Sequence, residues 1–162
     1  MVDNRWKLIV EVKIINFPET KVAVLEHKGP PETEHESVNK LIAWRLENKL
    51  PLGKHKSYGV HYNDPVTTPP DEYRVDLCIS VVDDVPPNPY GVVAKVIPAG
   101  RCAVARHLGS RENVAAATYL YESWLPGSGE KLRGFPIFFH YVNVGPGITE
   151  QDMITDVYLP LE

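Results

Sequence analysis

Residues 17–32, FPETKVAVLEHKGPPE, and residues 97–112, IPAGRCAVARHLGSRE, are two versions of one phrase. Pro18 meets Pro98, Ala23-Val24 meets Ala103-Val104, His27 meets His107 and Gly29 meets Gly109, all at an offset of 80. Identities that keep their order at a fixed spacing mark an internal repeat. The correspondence continues downstream. Leu50-Pro51 answers Leu125-Pro126, His61-Tyr62 answers His140-Tyr141 at an offset of 79, and Asn63 and Asp76 answer Asn143 and Asp156 at 80.

Each copy has the same order of elements. A lead strand (residues 8–16, then 92–97) runs through a Pro-containing turn into a second strand (21–27, then 101–107). In the first copy Val22, Val24 and Glu26 alternate with Ala23, Leu25 and His27, the period-two pattern of a strand with two unlike faces. A Gly then opens a loop, and a helix is predicted within 32–48 and within 111–124, stopping before Pro51 and before Pro126. Ser110 is the expected cap of the second helix. Two further strands follow in each copy, 57–62 and 73–82, then 137–142 and 153–160. The predicted fold class is α+β: a tandem βαββ repeat with pseudo-two-fold symmetry, an antiparallel sheet, two helices and a groove at the junction. The halves cover about residues 8–83 and 92–162, with a proline-rich connector at 84–91.

Composition narrows the function classes. The 162 residues suit one globular domain, and 43% hydrophobic with 23% charged residues excludes a disordered or coiled-coil chain. Seventeen Lys and Arg against 21 Asp and Glu give a formal charge of −4, so no basic stripe favours direct nucleic-acid binding. No apolar run approaches the roughly 20 residues of a membrane span, and the N-terminus does not read as a signal peptide. A cytoplasmic protein is expected, with Cys78 and Cys102 as reduced core thiols. No zinc spacing, phosphate loop or Ser/His/Asp arrangement is present, and no cofactor is expected. His27 with His107, and His61 with His140, read as hydrogen-bonded strand histidines rather than metal ligands. Asp76 and Asp156 read as structural acceptors.

The segments GVHYNDPVTTPPDEYRVDLCISV (59–81), IPAGRCAVARHLGSRENVAAATYLYESWLPGSGEKLRGFPIFFHYVNV (97–144) and MITDVYLPL (153–161) together resemble the GyrI-like small-molecule-binding domain, the effector-binding domain of AraC-type and MerR-type multidrug regulators. The resemblance implies a tandem βαββ fold whose groove takes bulky, often aromatic and cationic compounds. It runs from about residue 14 to the end. One departure stands out: members of that family commonly carry a Glu where this chain has Phe139, which removes the most direct attraction for a cation. An aromatic ring attracts cations more weakly.

Strand alternation from Phe139 predicts Ile137 and Tyr141 on the ligand side and Phe138 and His140 away from it. The offset of 79 adds Tyr58, Val60 and Tyr62 from the first copy. Tyr58, Tyr62, Phe139 and Tyr141 are therefore candidate ligand contacts, as flat rings with a polar handle; burial beneath the helices is the alternative. In the first helix Val38, Leu41, Ile42 and Leu46 form the expected apolar stripe, leaving Trp44 off it as a groove wall or surface residue. In the second, Val114, Ala117, Thr118, Tyr121 and Leu125 form the stripe, with Trp124 on one shoulder and Glu122 on the other. Tyr121, Glu122 and Trp124 complete the candidate set, Glu122 either as a substitute anion or as a plain exposed residue. The leading expectation is a stand-alone binder of a hydrophobic aromatic small molecule, more readily a binding protein than an enzyme. Direct control of transcription would require a regulator as partner. One alternative is a gyrase-inhibitor-like modulator that contacts DNA gyrase. Another is a hydrolase of cyclopropane-containing genotoxins, which needs an acid where Phe139 stands.

Overall fold

The computed structural model describes residues 11–162. In chain order the elements are β1 (Val12–Phe17), β2 (Thr20–Lys28), α1 (Glu34–Glu47), β3 (Ser57–His61), β4 (Arg74–Ser80), β5 (Val93–Ile97), β6 (Gly100–Leu108), α2 (Ala115–Tyr119, continued by Leu120–Trp124 and Leu125–Ser128), β7 (Phe138–Tyr141) and β8 (Ile154–Pro160). The start expected for the lead strand, residues 8–10, lies outside the described residues.

The chain forms two compact units. Residues 19–98 hold an antiparallel sheet in the order β3-β4-β2-β5 with α1 against it. Residues 11–18, with 99–162, hold the matching order β7-β8-β6-β1 with α2 against it. The lead strand of each copy thus pairs in the unit built from the other copy. β1 aligns Val12 with Ala105 and Phe17 with Gly100, and β5 aligns Thr20 with Ile97.

Pairing register fixes the faces. Ala23, Leu25, Val75, Leu77 and Ile79 meet Leu41 and Trp44 of α1 in one core. Ala103, Ala105, Val157 and Leu159 meet Ala116 and Leu120 of α2 in the other. Odd-numbered residues of β2, β3, β4, β6, β7 and β8 therefore face the helix of their unit, and even-numbered ones face away. An offset of 80 is even and preserves this assignment; an offset of 79 inverts it, because strand side chains alternate with period two.

Both helices correct the predicted stripes. In α1 Trp44 is 3% exposed and central to the core, whereas Ile42 and Leu46 are exposed. The buried face runs Val38, Leu41, Trp44, three residues apart, and the indole supplies its largest side chain. In α2 the fully buried residues are Ala116 and Leu120, with Val114, Ala117, Trp124 and Leu125 at the margin; Thr118 and Tyr121 are exposed. The reason is a π-turn over Leu120–Trp124, which widens the spacing of inward residues to four and rotates Tyr121 outward. Pro126, expected to end the helix, sits inside its last turn, and Gly129 closes it with φ of 75°. Ser110 does not cap it: α2 begins at Ala115, and the Ser110 hydroxyl instead accepts the Glu112 N–H at 3.2 Å.

Candidate functional site

Five expected contacts gather around α2 and β7. Phe139 pairs with Val157 and Tyr141 with Thr155, which sets both on the α2 side of the sheet. Their rings meet edge to face, centroids 6.4 Å apart. Phe139 and Trp124 both pack, half-buried, at the margin of the α2 core. Tyr121 is 41% exposed on the π-turn, and burial raises its phenol pKa. Glu122 is an exposed residue of the same turn.

The other three expected contacts lie in the residue 19–98 unit and in different settings. Trp44 is core, as above. Tyr58 pairs with Cys78 and is 4% exposed on the face away from α1. Tyr62 follows β3; its hydroxyl donates to Asp76 Oδ2 at 2.7 Å, and the Arg74 guanidinium stacks 4.5 Å above its ring. Burial and the Asp76 hydrogen bond raise the Tyr62 pKa. Tyr58 and Tyr62 are therefore not the counterparts of Ile137 and Tyr141. Structural register pairs Gly59 with Leu77 as Phe139 pairs with Val157, and His61 with Val75 as Tyr141 with Thr155. The helix-side positions of β3 are Gly59 and His61. Holding the offset at 80, as Asp76 and Asp156 already required, picks out both. Burial lowers the His61 pKa from 6.5 to about 4, so this imidazole is neutral at pH 7.

On the faces away from the helices, each unit neutralises its repeat-related aspartate differently. Asp76, 3% exposed, accepts from Lys95 Nζ at 2.8 Å, and Lys95 also approaches Glu26 at 3.7 Å. Asp156 takes the Arg106 fork, Nε at 2.8 Å and Nη2 at 3.1 Å. Position 26 is Glu in one copy and position 106 is Arg in the other, while Lys95 corresponds to Ile15. The cation has moved from one strand to another and the acid has stayed. A stacked pair, Phe138 and Tyr158 at 4.9 Å, and Phe17 edge-on at 5.0 Å complete the second of these faces.

Arg111 stands beside Tyr141. Its Nε donates to Thr155 Oγ1 at 2.8 Å, and Nη2 donates to Ile154 O at 2.8 Å, Asn143 O at 3.1 Å and Asn143 Oδ1 at 3.3 Å. The guanidinium carbon lies 5.0 Å over the Tyr141 ring, and burial lowers the Arg111 pKa. The two cysteines are free and buried, their thiol pKa values raised chiefly by burial. Among the described residues no helix is long and apolar enough to cross a membrane.

Residues 10–162 match the family described as the GyrI-like small molecule binding domain. The chain belongs to that family. Like other GyrI-like domains, it is an α+β protein of antiparallel strands and two helices. It is 45% identical over 156 residues to a protein named probable transcriptional regulator YgiV from Escherichia coli K12, covering 95% of this chain and 98% of that one. It is 30% identical to a DNA gyrase inhibitor of Erwinia billingiae, covering 94% and 97%. The crystal structure of the EcmrR C-terminal domain shares the fold, with a TM-score of 0.73 at 16% identity over 94% of this chain and 98% of that one.

Proposed function

We propose that this GyrI-like domain captures a bulky hydrophobic aromatic compound, as a binding protein that sequesters or senses a drug or toxin. The observation that carries the reading is the half-buried group of Phe139, Tyr141 and Trp124 at the margin of the α2 core, with Tyr121 exposed on the adjoining π-turn. Rings at a core margin offer flat apolar area that loses little conformational freedom on binding. π-turns are frequent at functional sites, and this one turns Tyr121 outward. A cytoplasmic location accords with two free thiols.

The test is saturable quenching of intrinsic Trp and Tyr fluorescence by a panel of polycyclic aromatic dyes. Phe139→Ala and Trp124→Ala should weaken binding at least about tenfold, the loss of one well-buried aromatic contact. Leu46→Ala, on the exposed side of α1, should bind as wild type. No quenching by any dye refutes the proposal. A second reading, a protein that acts on DNA gyrase or with a transcription regulator, draws on the names of the relatives. A pull-down with gyrase and a supercoiling assay decide it.

A further inference from the structure

Arg111 is a partly buried cation held entirely by neutral oxygens. Nε and Nη2 are spent on Thr155, Ile154 and Asn143, and none of these partners carries a charge. Among the described residues Nη1 donates no hydrogen bond and no carboxylate forms an ion pair with this guanidinium; Glu112, the next residue, is exposed. Arg74, Arg101 and Arg106 have counter-anions in Glu26, Glu130 and Asp156, whereas Arg111, like Arg133 on its backbone carbonyls, is held by neutral acceptors, and of these two only Arg111 lies over an aromatic ring of the candidate site. Taking a cation partly out of water without an anion is unfavourable, and a site that tolerates it is predisposed to receive one.

The rest of the setting agrees. The bonds from Nε and Nη2 fix the plane of the guanidinium over Tyr141, leaving the Nη1 edge as a positioned donor pair suited to a carboxylate. Tyr141 connects it to Phe139 through the edge-to-face contact at 6.4 Å. A flat ring against Phe139 and Tyr141, with a carboxylate on a short arm, would place that group at Arg111. The device is particular to this unit, because position 31 in the first copy is a proline. The residue that could have reversed the preference, an acid at position 139, is a phenylalanine.

We infer that the aromatic site of the α2 unit selects anions: its ligand class is a small aromatic carboxylic acid, with the carboxylate on Arg111 Nη1 and the ring on Phe139 and Tyr141. The inference rests on the binding reading above and adds a charge preference to it.

A matched set of probes tests it by isothermal titration calorimetry: 1-naphthylacetate, the neutral 1-naphthylacetamide and the cation 1-naphthylmethylammonium, each against wild type, Arg111→Met and Arg111→Lys. Wild type should bind the acid at least about tenfold more tightly than the amide, as one charge-assisted hydrogen-bond pair gives, and the cation most weakly. Arg111→Met should equalise acid and amide. Arg111→Lys loses much of the same clamp on Thr155 and Asn143 but keeps the charge, so it should retain most of the preference. That comparison separates recognition from a fold defect, which both variants share. Equal binding of acid and amide by wild type, tighter binding of the cation, or a preference for the acid that survives in Arg111→Met overturns the inference and leaves the aromatic site standing. Failure of all three probes together overturns the binding reading and the inference with it.

Discussion

A single hydroxyl group separates two otherwise equivalent histidine anchors, and supplying it makes a sharp test of the repeat. His27 Nε2 donates to Pro30 O at 3.1 Å, which leaves Nδ1 as an acceptor, and Ser37 Oγ donates to it at 2.8 Å. This ties α1 to β2. In the second copy His107 Nε2 donates to Ser110 O at 2.9 Å in the same way. The residue 80 positions after Ser37 is Ala117, and His107 Nδ1 is buried with no hydrogen-bond partner among the described residues. An unmade bond to a buried acceptor costs about 1–3 kcal/mol. Serine in a helix is about 0.5 kcal/mol worse than alanine. Ala117→Ser should therefore raise stability by about 0.5–2 kcal/mol, or a few degrees in Tm for a chain of this length. Ser37→Ala should lower it by about 1–2 kcal/mol. Urea unfolding followed by circular dichroism measures both, and the two changes should add, because the variants touch separate histidines. If Ala117→Ser is neutral or destabilising while Ser37→Ala shows its full loss, the two anchors are not equivalent and the structural offset of 80 fails at this point.

Three further outcomes follow from the geometry. Lys95→Met removes the nearest cation from buried Asp76 and should cost about 1–3 kcal/mol, discounted because the Lys95 side chain is 33% exposed; adding Asp76→Asn should restore part of that loss in urea titrations. His61 binds a proton in the unfolded chain near pH 6.5 but in the folded chain only near 4, so the unfolded state carries the extra proton between those values. Stability is full above pH 6.5 and falls as the pH drops toward 4, by about 3 kcal/mol in all, and His61→Gln should flatten that slope. Trp44→Ala should destabilise by about 3–5 kcal/mol as a core deletion, whereas Trp124→Ala, at the core margin, should cost less and act on binding.

Much of this fold was legible because its signals are local. The paired phrases, the alternation of Val22 through His27 and the prolines around each turn mark strands and helices from neighbours alone. Three things were not. The partner of β1 is β6, more than 80 residues away, and no local pattern says which strand a lead strand joins. The π-turn depends on how α2 settles on its sheet, so a regular 3.6-residue wheel put Tyr121 inward and left Leu120 unnoticed. A stripe completed by Ile42 and Leu46 puts Trp44 outside the core, as a groove wall or surface residue. The sheet instead takes the largest side chain available, and two aliphatics remain on the solvent side. A shift of one residue changed the repeat matching in the candidate site: an offset of 79 sets Tyr62 against Tyr141, whereas the sheet register sets Gly59 against Phe139 and His61 against Tyr141. Arg111 was invisible for a different reason, since a missing counter-ion can be seen only when every neighbour has been placed.

The exchange of lead strands has a consequence for biosynthesis. Residues 19–98 are continuous and can close as soon as β5 leaves the ribosome. β1 emerges first of the described strands yet waits for β6, so its backbone edge, with Ile14 and Ile15 exposed even in the finished fold, stays unpaired through the translation of about half the polypeptide. An open strand edge in that interval is a template for pairing with another nascent chain. Lys13 and Asn16, which flank those isoleucines, are the polar residues placed to discourage such pairing while the C-terminal unit is completed.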